Sequence, residues 1–229
     1  MGFTIGGIRD LAELRLGQRR SGRPRRQTVG SQTTAVAEYT GLWGWDVTPG
    51  ARAVVDGGRT RCSCGDEHCP EPGAHPLDAD ARIVAGTPLE EAAAIWGSYP
   101  GAALLLPVGG AFDVLEVSET AGRRALVRLE RMGLPLGPVA VTPQGRAWFF
   151  VRAGAAVELP ALLYRMGWDD AALDLRCPGP GEYVTAPPSD LAGLGPVRWL
   201  RPPALDAAGR LPQARLLLGA LAYVSHRSV

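Results

Sequence analysis

The chain contains no lysine. All 24 of its basic residues are arginine, set among 30 glycines and 20 prolines. Together with abundant alanine, that bias is the imprint of a GC-rich genome more than of a mechanism. It also excludes one phosphate-binding device: Gly109-Gly110 is no phosphate loop, because a Walker-type loop needs a lysine followed by Ser or Thr. Cysteine is scarce, with four in 229 residues, three of them clustered and Cys177 alone. Such a pattern does not fit a disulfide-rich secreted scaffold. No apolar run is long enough to span a bilayer, and the N-terminal residues lack a signal-peptide pattern. The expected setting is cytoplasmic, without a membrane partner, and nucleoid-associated if the chain binds DNA.

A chain of 229 residues can bury a substantial core, most naturally as one domain with appendages. The formal net charge of +1 conceals an asymmetry. Residues 1–30 hold seven arginines against Asp10 and Glu13, a net +5, whereas the rest holds seventeen arginines against twenty-one acids, a net −4. Arg19, Arg20, Arg23, Arg25 and Arg26 form the dense part of the basic segment. Such a run can contact nucleic-acid phosphates with little sequence readout and with an affinity that falls as salt rises. It can also meet an acidic protein surface, or serve only as a solvated extension.

Cys62, Cys64, Cys69 and His75 lie within fourteen residues. Three thiolates and one imidazole suit a tetrahedral Zn²⁺, and four protein ligands leave no open position for a reacting water. The cluster therefore reads as a structural zinc clip. Gly65, Pro70, Pro72, Gly73 and Pro76 surround it with turn formers, so a metal would order a loop that lacks apolar packing of its own. His68 is an alternative fourth ligand, and a metal-free turn is the other reading. The Cys-x-Cys spacing is tighter than that of the usual zinc knuckle.

The expected organisation is a basic extension and linker over residues 1–30, then a domain over 31–229 with the zinc loop inserted at 62–75 and a helical segment at the C-terminus. Ser31 is a candidate cap for the first helix of the domain. Thr87-Pro88-Leu89-Glu90 has the form of a capped helix start. Ala102–Leu106 and Phe112–Val117 read as neighbouring core strands joined by a glycine turn. Val139–Thr142 and Ala147–Val151 read as a hairpin, and Ala172–Arg176 with Glu182–Thr185 as another strand pair. Arg123–Met132 is an amphipathic helix, and Leu211–Tyr223 a terminal helix apolar enough to dock on the core. Helices interspersed with hairpins predict an α+β fold around a mixed sheet with flanking helices.

The strand Asp113–Ser118 carries the candidate chemistry. Alternation puts Val114, Glu116 and Ser118 on one face and Asp113, Leu115 and Val117 on the other. Asp174, in an apolar strand, is a second acid that can converge on Glu116. The group reads either as a remnant divalent-metal pocket or as acids paired with arginines such as Arg176 or sitting at exposed sheet ends. Two-metal phosphoryl transfer needs enough carboxylates to hold two hard cations, and the Ser118 hydroxyl does not supply the charge of a second strand carboxylate.

At this point the chain resembles the bifunctional DNA primase/polymerase N-terminal domain, the Prim-Pol group of the archaeo-eukaryotic primases. The motifs AVAEYTGLWGWDVTP at 35–49, CSCGDEHCPEPGAHP at 62–76, VLEVSETAG at 114–122, VTPQGRAWFF at 141–150 and LDLRCPGPGEYVTAPPS at 173–189 occur in family order. The resemblance implies a nucleotidyl transferase core with an RNA-recognition-like sheet. It implies an acidic pair on one strand, a histidine on a following strand and a third acid that together manage Mg²⁺ or Mn²⁺ and the incoming nucleotide. Glu116 falls at the first acid, Ser118 at the second and Asp174 at the third. Ala147 is the position matched to the histidine. Arg146 and Arg176 are candidates for contact with nucleotide or nucleic-acid phosphate, although Arg146 also reads as a solvated turn residue, and a guanidinium is no general base near neutral pH.

Ser at the second acid and the missing histidine favour a noncatalytic primase/polymerase-like protein that binds DNA, a nucleotide or a replication or regulatory protein. A surviving divalent-metal-dependent primase/polymerase and a protein-interaction scaffold are the alternatives. Trp148, Phe149 and Phe150 can offer a base-stacking surface, with core packing as their other role. Trp43, Trp45 and Trp96 read as framework residues.

Overall fold

The computed structural model of the protein describes residues 28–204 and 210–227. The tail arginines Arg19, Arg20, Arg23, Arg25 and Arg26 lie outside the described residues. Helix α1 (Thr28–Ala37) runs into a wider π-helical turn at Glu38–Leu42. Because α1 begins at Thr28, Ser31 lies inside it and is not its cap. Short strands β1 (Thr48–Gly50), β2 (Ala53–Asp56) and β3 (Arg59–Cys62) precede α2 (Leu89–Gly97) and β4 (Ala103–Pro107). The central unit follows as β5 (Phe112–Ser118), α3 (Glu119–Arg131), β6 (Val139–Val141), β7 (Arg146–Arg152), α4 (Ala155–Arg165) and β8 (Leu175–Arg176). Strands β9 (Tyr183–Thr185) and β10 (Arg198–Arg201) and helix α5 (Ala214–His226) complete the order.

The β5-α3-β6-β7-α4-β8 run is a split β-α-β-β-α-β unit. Its strands form a five-stranded sheet in the order β10-β6-β7-β5-β8, beside a three-stranded sheet β1-β4-β9 and a β2-β3 hairpin. The α+β expectation and the RNA-recognition-like sheet are present. The pairing is antiparallel at every paired edge, so the expectation of a mixed sheet is corrected. Helices α3 and α4 each return the chain across the sheet, so strands parallel to one another end up separated by an antiparallel neighbour. One proposed pair is also redistributed. Strand β8 joins β5 while β9 joins β4, so Glu182–Thr185 does not pair with Ala172–Arg176. The glycine turn joins the core strands β4 and β5 and carries the chain from one sheet to the other.

Two cores lie on the two faces of the central sheet, as the period of two requires. On the front, Phe112, Val114, Trp148 and Phe150 pack with Trp45, Leu104, Leu106 and the helical start of the domain. Trp45 stacks 5.2 Å from Phe150 and lies 4.9 Å from Phe112, so it is the framework residue expected. On the back, Leu115, Val117, Ala147 and Phe149 meet Leu126 and Leu129 of α3 and Leu217, Leu218 and Leu221 of α5. The front cover stops short of the Ser118 end of β5, leaving Glu116 and Ser118 only partly buried.

Helix α3 starts where β5 ends because the Ser118 hydroxyl caps it, accepting from the Ala121 N–H at 3.4 Å. The proposed Thr87 cap does not form. Its hydroxyl donates to the Val84 carbonyl at 2.7 Å, and Pro88 takes the cap position of α2. The Tyr-Val-x-Ala-Pro-Pro-Ser segment is a framework piece. Val184 pairs with Leu106, the Ser189 hydroxyl accepts from Leu104 N–H at 2.8 Å, and the buried Tyr39 hydroxyl donates to the Pro187 carbonyl at 2.6 Å. These bonds satisfy backbone groups that burial would otherwise leave unpaired.

Gly122 sets how closely α3 lies on the sheet, since a Cβ there would come 2.4 Å from Ala147 Cβ. Overpacking at such a contact costs about 1–3 kcal/mol. Gly122→Val is expected to lower the unfolding free energy by that amount, read as a lower urea midpoint at an unchanged denaturant slope, and an unchanged midpoint would contradict the close approach.

Candidate functional site

The register of β5 against β7 builds the first part of the site. Ser118 lies opposite Arg146, Val117 opposite Ala147 and Glu116 opposite Trp148. Glu116, Arg146 and Trp148 therefore share the front face. Asp174, just before β8 on the other side of β5, comes to the same place, with its Oδ2 accepting from the Ser118 N–H at 3.1 Å. Glu116, Ser118 and Asp174 are thus brought together as the sequence predicts.

What lies between the two acids is Arg146. Its Nη1 and Nη2 donate to Asp174 Oδ2 and Oδ1 at 2.9 and 2.7 Å, and its Nε donates to Glu116 Oε1 at 3.0 Å. Glu116 Oε2 accepts from the Trp148 indole N–H at 2.7 Å. Every oxygen of both carboxylates therefore has a donor. Bidentate guanidinium–carboxylate contacts are both directional and strong. The side chains of Arg146 and Glu116 are 25% and 13% exposed, so the contact is shielded, though Asp174 at 37% remains partly in water. Arg146 first, against the opposing effect of burial, holds the Asp174 carboxyl below the usual carboxylate range, and the Ser118 N–H adds to it. The same contact raises the Arg146 guanidinium.

This arrangement does not fit a catalytic divalent pair. Mg²⁺ or Mn²⁺ needs free carboxylate oxygens, and those of Glu116 and Asp174 are taken by Arg146, Trp148 and the Ser118 amide. Ser118 turns its hydroxyl to the start of α3. Arg146 is consequently not the solvated turn residue that its position after Gly145 suggests. Arg176, although opposite Glu116 in register, pairs with Glu182 at 3.0 Å on an exposed edge. Ala147 is not at the site. It is fully buried on the helical side of the sheet, and Arg146 and Trp148 are the β7 residues that face the acids. Trp148, Phe149 and Phe150 are all buried, so of their two readings core packing holds and base stacking does not. The Trp148–Glu116 bond has a sequence signal only if the strand register is known beforehand.

The second part is the loop after β3. The ligand atoms of Cys62, Cys64, Cys69 and His75 lie within 4.8 Å of one another. His75 Nε2 is 3.3 Å from both Cys62 Sγ and Cys69 Sγ, close to the roughly 3.5 Å edge that zinc bond lengths imply for a tetrahedron. The opposite ring nitrogen, Nδ1, bonds the Pro76 carbonyl at 2.8 Å, which leaves Nε2 as the ligand atom. The donor set fits a metal such as zinc, with His75 as the fourth ligand; the His68 backbone N–H binds the Asp66 carboxylate, and His68 is not in the cluster. Burial opposes charge on Cys62, yet the amides of Cys64 and Gly73 and the side chains of Cys64 and His75 lower its thiol to about 6. Burial and then its thiol neighbours raise Cys69 to about 11. The Cys62 thiolate therefore forms readily, and a bound cation would favour ionisation of Cys69.

The clip is pinned to the sheet. Ala51 N–H donates to the His75 carbonyl at 2.8 Å and Leu77 N–H to that of Pro49 at 2.9 Å. Gly73 has φ +76°, and a Cβ there would come 2.5 Å from the Ala53 nitrogen, so only glycine fits. The anchored loop faces the carboxylates across an open cleft of about 640 Å³, lined by Glu71, His75 and Pro76 on one side and by Glu116, Trp148 and Arg176 on the other.

Against known families, the one described as bifunctional DNA primase/polymerase, N-terminal (Prim-Pol), matches residues 36–214. No curated protein and no solved structure gives a significant match. Among the described residues no helix is long and apolar enough to cross a membrane.

Three measurements check the site. Elemental analysis is expected to find about one zinc per chain, lost with reduced unfolding cooperativity in Cys62→Ser or Cys69→Ser; a metal-free, equally stable protein would contradict the clip. Arg146→Ala leaves shielded carboxylates without their cation and is expected to destabilise by about 1–3 kcal/mol in urea unfolding. A folded-state carboxyl held below its unfolded value contributes stability that is complete above the unfolded value and lost as pH falls through the folded one. The stability difference between the native protein and Asp174→Asn should therefore hold steady from neutrality and narrow only below about pH 4. A difference already shrinking near pH 6 would contradict the assignment.

Proposed function

The chain belongs to the bifunctional DNA primase/polymerase N-terminal family, and we propose that it is a noncatalytic member, a primase-like protein that binds nucleic acid without extending it. The observation that carries this reading is the Arg146 fork between Glu116 and Asp174. A guanidinium supplies positive charge at that place, but it has no vacant coordination position and cannot bridge a nucleophilic oxygen and a leaving phosphate as paired metal ions do. Ser118 supports the reading because it contributes no charge and its hydroxyl is committed to capping α3. Zinc in the Cys62–Cys64–Cys69–His75 clip holds one wall of the cleft and takes no part in chemistry, since all four positions are protein ligands. DNA is the proposed partner, held in part by the phosphate-binding arginines Arg19, Arg20, Arg23, Arg25 and Arg26.

The full-length protein is expected to give no extension product on primed or unprimed template, with Mg²⁺ or Mn²⁺, above a metal-free control. A product that disappears in Glu116→Gln would overturn the reading. Replacing the five tail arginines by alanine is expected to weaken DNA binding, with the difference shrinking as salt rises. Equal affinity across the salt range would remove the tail from the account without restoring catalysis.

A further inference from the structure

The helical layer behind the central sheet carries charge that the cleft does not use. Helix α3 places Arg124, Arg128 and Arg131 at i, i+4 and i+7, so the three exposed guanidinium groups leave one side of the helix. Helix α5 packs beside it and presents Tyr223, which is 39% exposed. The Arg128 guanidinium lies over the Tyr223 ring at 5.0 Å and that of Arg227 at 5.7 Å. Arg227 also donates to the Tyr223 hydroxyl at 2.8 Å. Arg123 is neutralised by Glu119 at 2.7 Å, and Glu130 turns to Arg201 at 3.6 Å. Among the described residues, none of Arg124, Arg128, Arg131 and Arg227 pairs with a carboxylate.

Charge partition sets this face apart. Six arginines against Glu119 and Glu130 give α3 and α5 with its cap Arg227 a net +4, whereas residues 31–229 together carry −4. The cleft, by contrast, is lined by Glu71, Glu116 and Glu182 against Arg176, and Arg146 is consumed between its two carboxylates. The cleft lining is therefore net negative and the α3–α5 face net positive. Like charges four apart on a helix repel. The C-terminal end of α3 offsets part of that for Arg128 and Arg131, and no carboxylate among the described residues offsets the rest.

We infer that the Arg124–Arg128–Arg131 stripe, together with Tyr223 and Arg227, is a docking surface for the phosphate backbone of nucleic acid, on the far side of the sheet from the cleft. Guanidinium forks match phosphate oxygens. The stripe runs about 10 Å along the helix, roughly three phosphate steps of one strand. Val127 within the stripe is exposed, as are Met132 at the end of α3 and Leu216 and Tyr223 on α5, but they are set among arginines, whereas the core of a stable protein interface is depleted of charge. The surface should consequently bind without regard to sequence. It deepens the nucleic-acid part of the proposed function and does not rest on the cleft being inert.

The test uses the full-length protein and a mixed-sequence DNA duplex, with affinity followed across a NaCl series from about 50 to about 200 mM. Arg124→Ala with Arg131→Ala removes two guanidinium groups that hold no carboxylate among the described residues. The double variant is expected to keep its metal content and unfolding midpoint. It should weaken binding at low salt and lower the log–log salt slope by about 2, close to 0.9 for each phosphate no longer neutralised. An unchanged slope and affinity would overturn the inference while leaving the extension assay to judge the cleft. Polyglutamate binding that depends on the same two arginines, with DNA binding unaltered, would assign the face to an acidic protein and equally overturn it.

Discussion

The antiparallel register between β5 and β7 decides what the candidate centre can be. It sets Ser118 opposite Arg146 and Glu116 opposite Trp148, and it brings a guanidinium to the place where the family's resemblance implies metal ions and a histidine. Once there, Arg146 neutralises one charge of the Glu116–Asp174 pair and saturates it with directional hydrogen bonds. Two carboxylates this close without a cation would repel each other. The fork answers that repulsion within the chain, by ion pairs and hydrogen bonds.

The cysteine–histidine loop and the capped helix hold the frame around the acids. The clip is tied to β1 and the residue after it by backbone hydrogen bonds of His75 and Leu77 at its C-terminal end, and to Arg52 by the Ser63 N–H at the other, and its loop forms a wall of the cleft. Ser118 has been drawn into the frame as well, because its hydroxyl and amide hold the start of α3 and the Asp174 carboxylate. Ser118, the residue that the resemblance matches to the second acid, thus contributes to the local frame. Helices α3 and α5, which back the sheet in a packing sense, carry a net positive charge that the lining of the cleft does not.

Much of this was legible from local pattern. The alternation in Asp113–Ser118 gave the correct face for Glu116 and Ser118, because a strand period of two leaves no freedom once a strand is assigned. The ligand cluster was legible because soft donors rarely crowd by chance into a turn-rich loop. Pairing between strands was not legible. Ala147 was matched to the histidine, yet it lies one residue from the position that faces the acids, and a one-residue slip exchanges the two faces of a strand. The sequence leaves Arg146 between a phosphate contact and a solvated turn residue, because its partners are 28 and 30 residues away in the chain. Thr87 had the right chemistry for a cap, but its hydroxyl found the Val84 carbonyl. Strands β4 and β5 follow one another closely and still enter different sheets, since short loops allow a pairing without choosing it.

The central claim is that Arg146 stands in place of a catalytic cation. It is tested most directly by titrating Mn²⁺ into the full-length protein and following the Trp148 indole N–H signal, whose donor bonds Glu116 at 2.7 Å. The account predicts no paramagnetic broadening of that signal in the native protein and broadening once Arg146→Ala frees the carboxylates. Equal broadening in the native protein at the same Mn²⁺ concentration would contradict it.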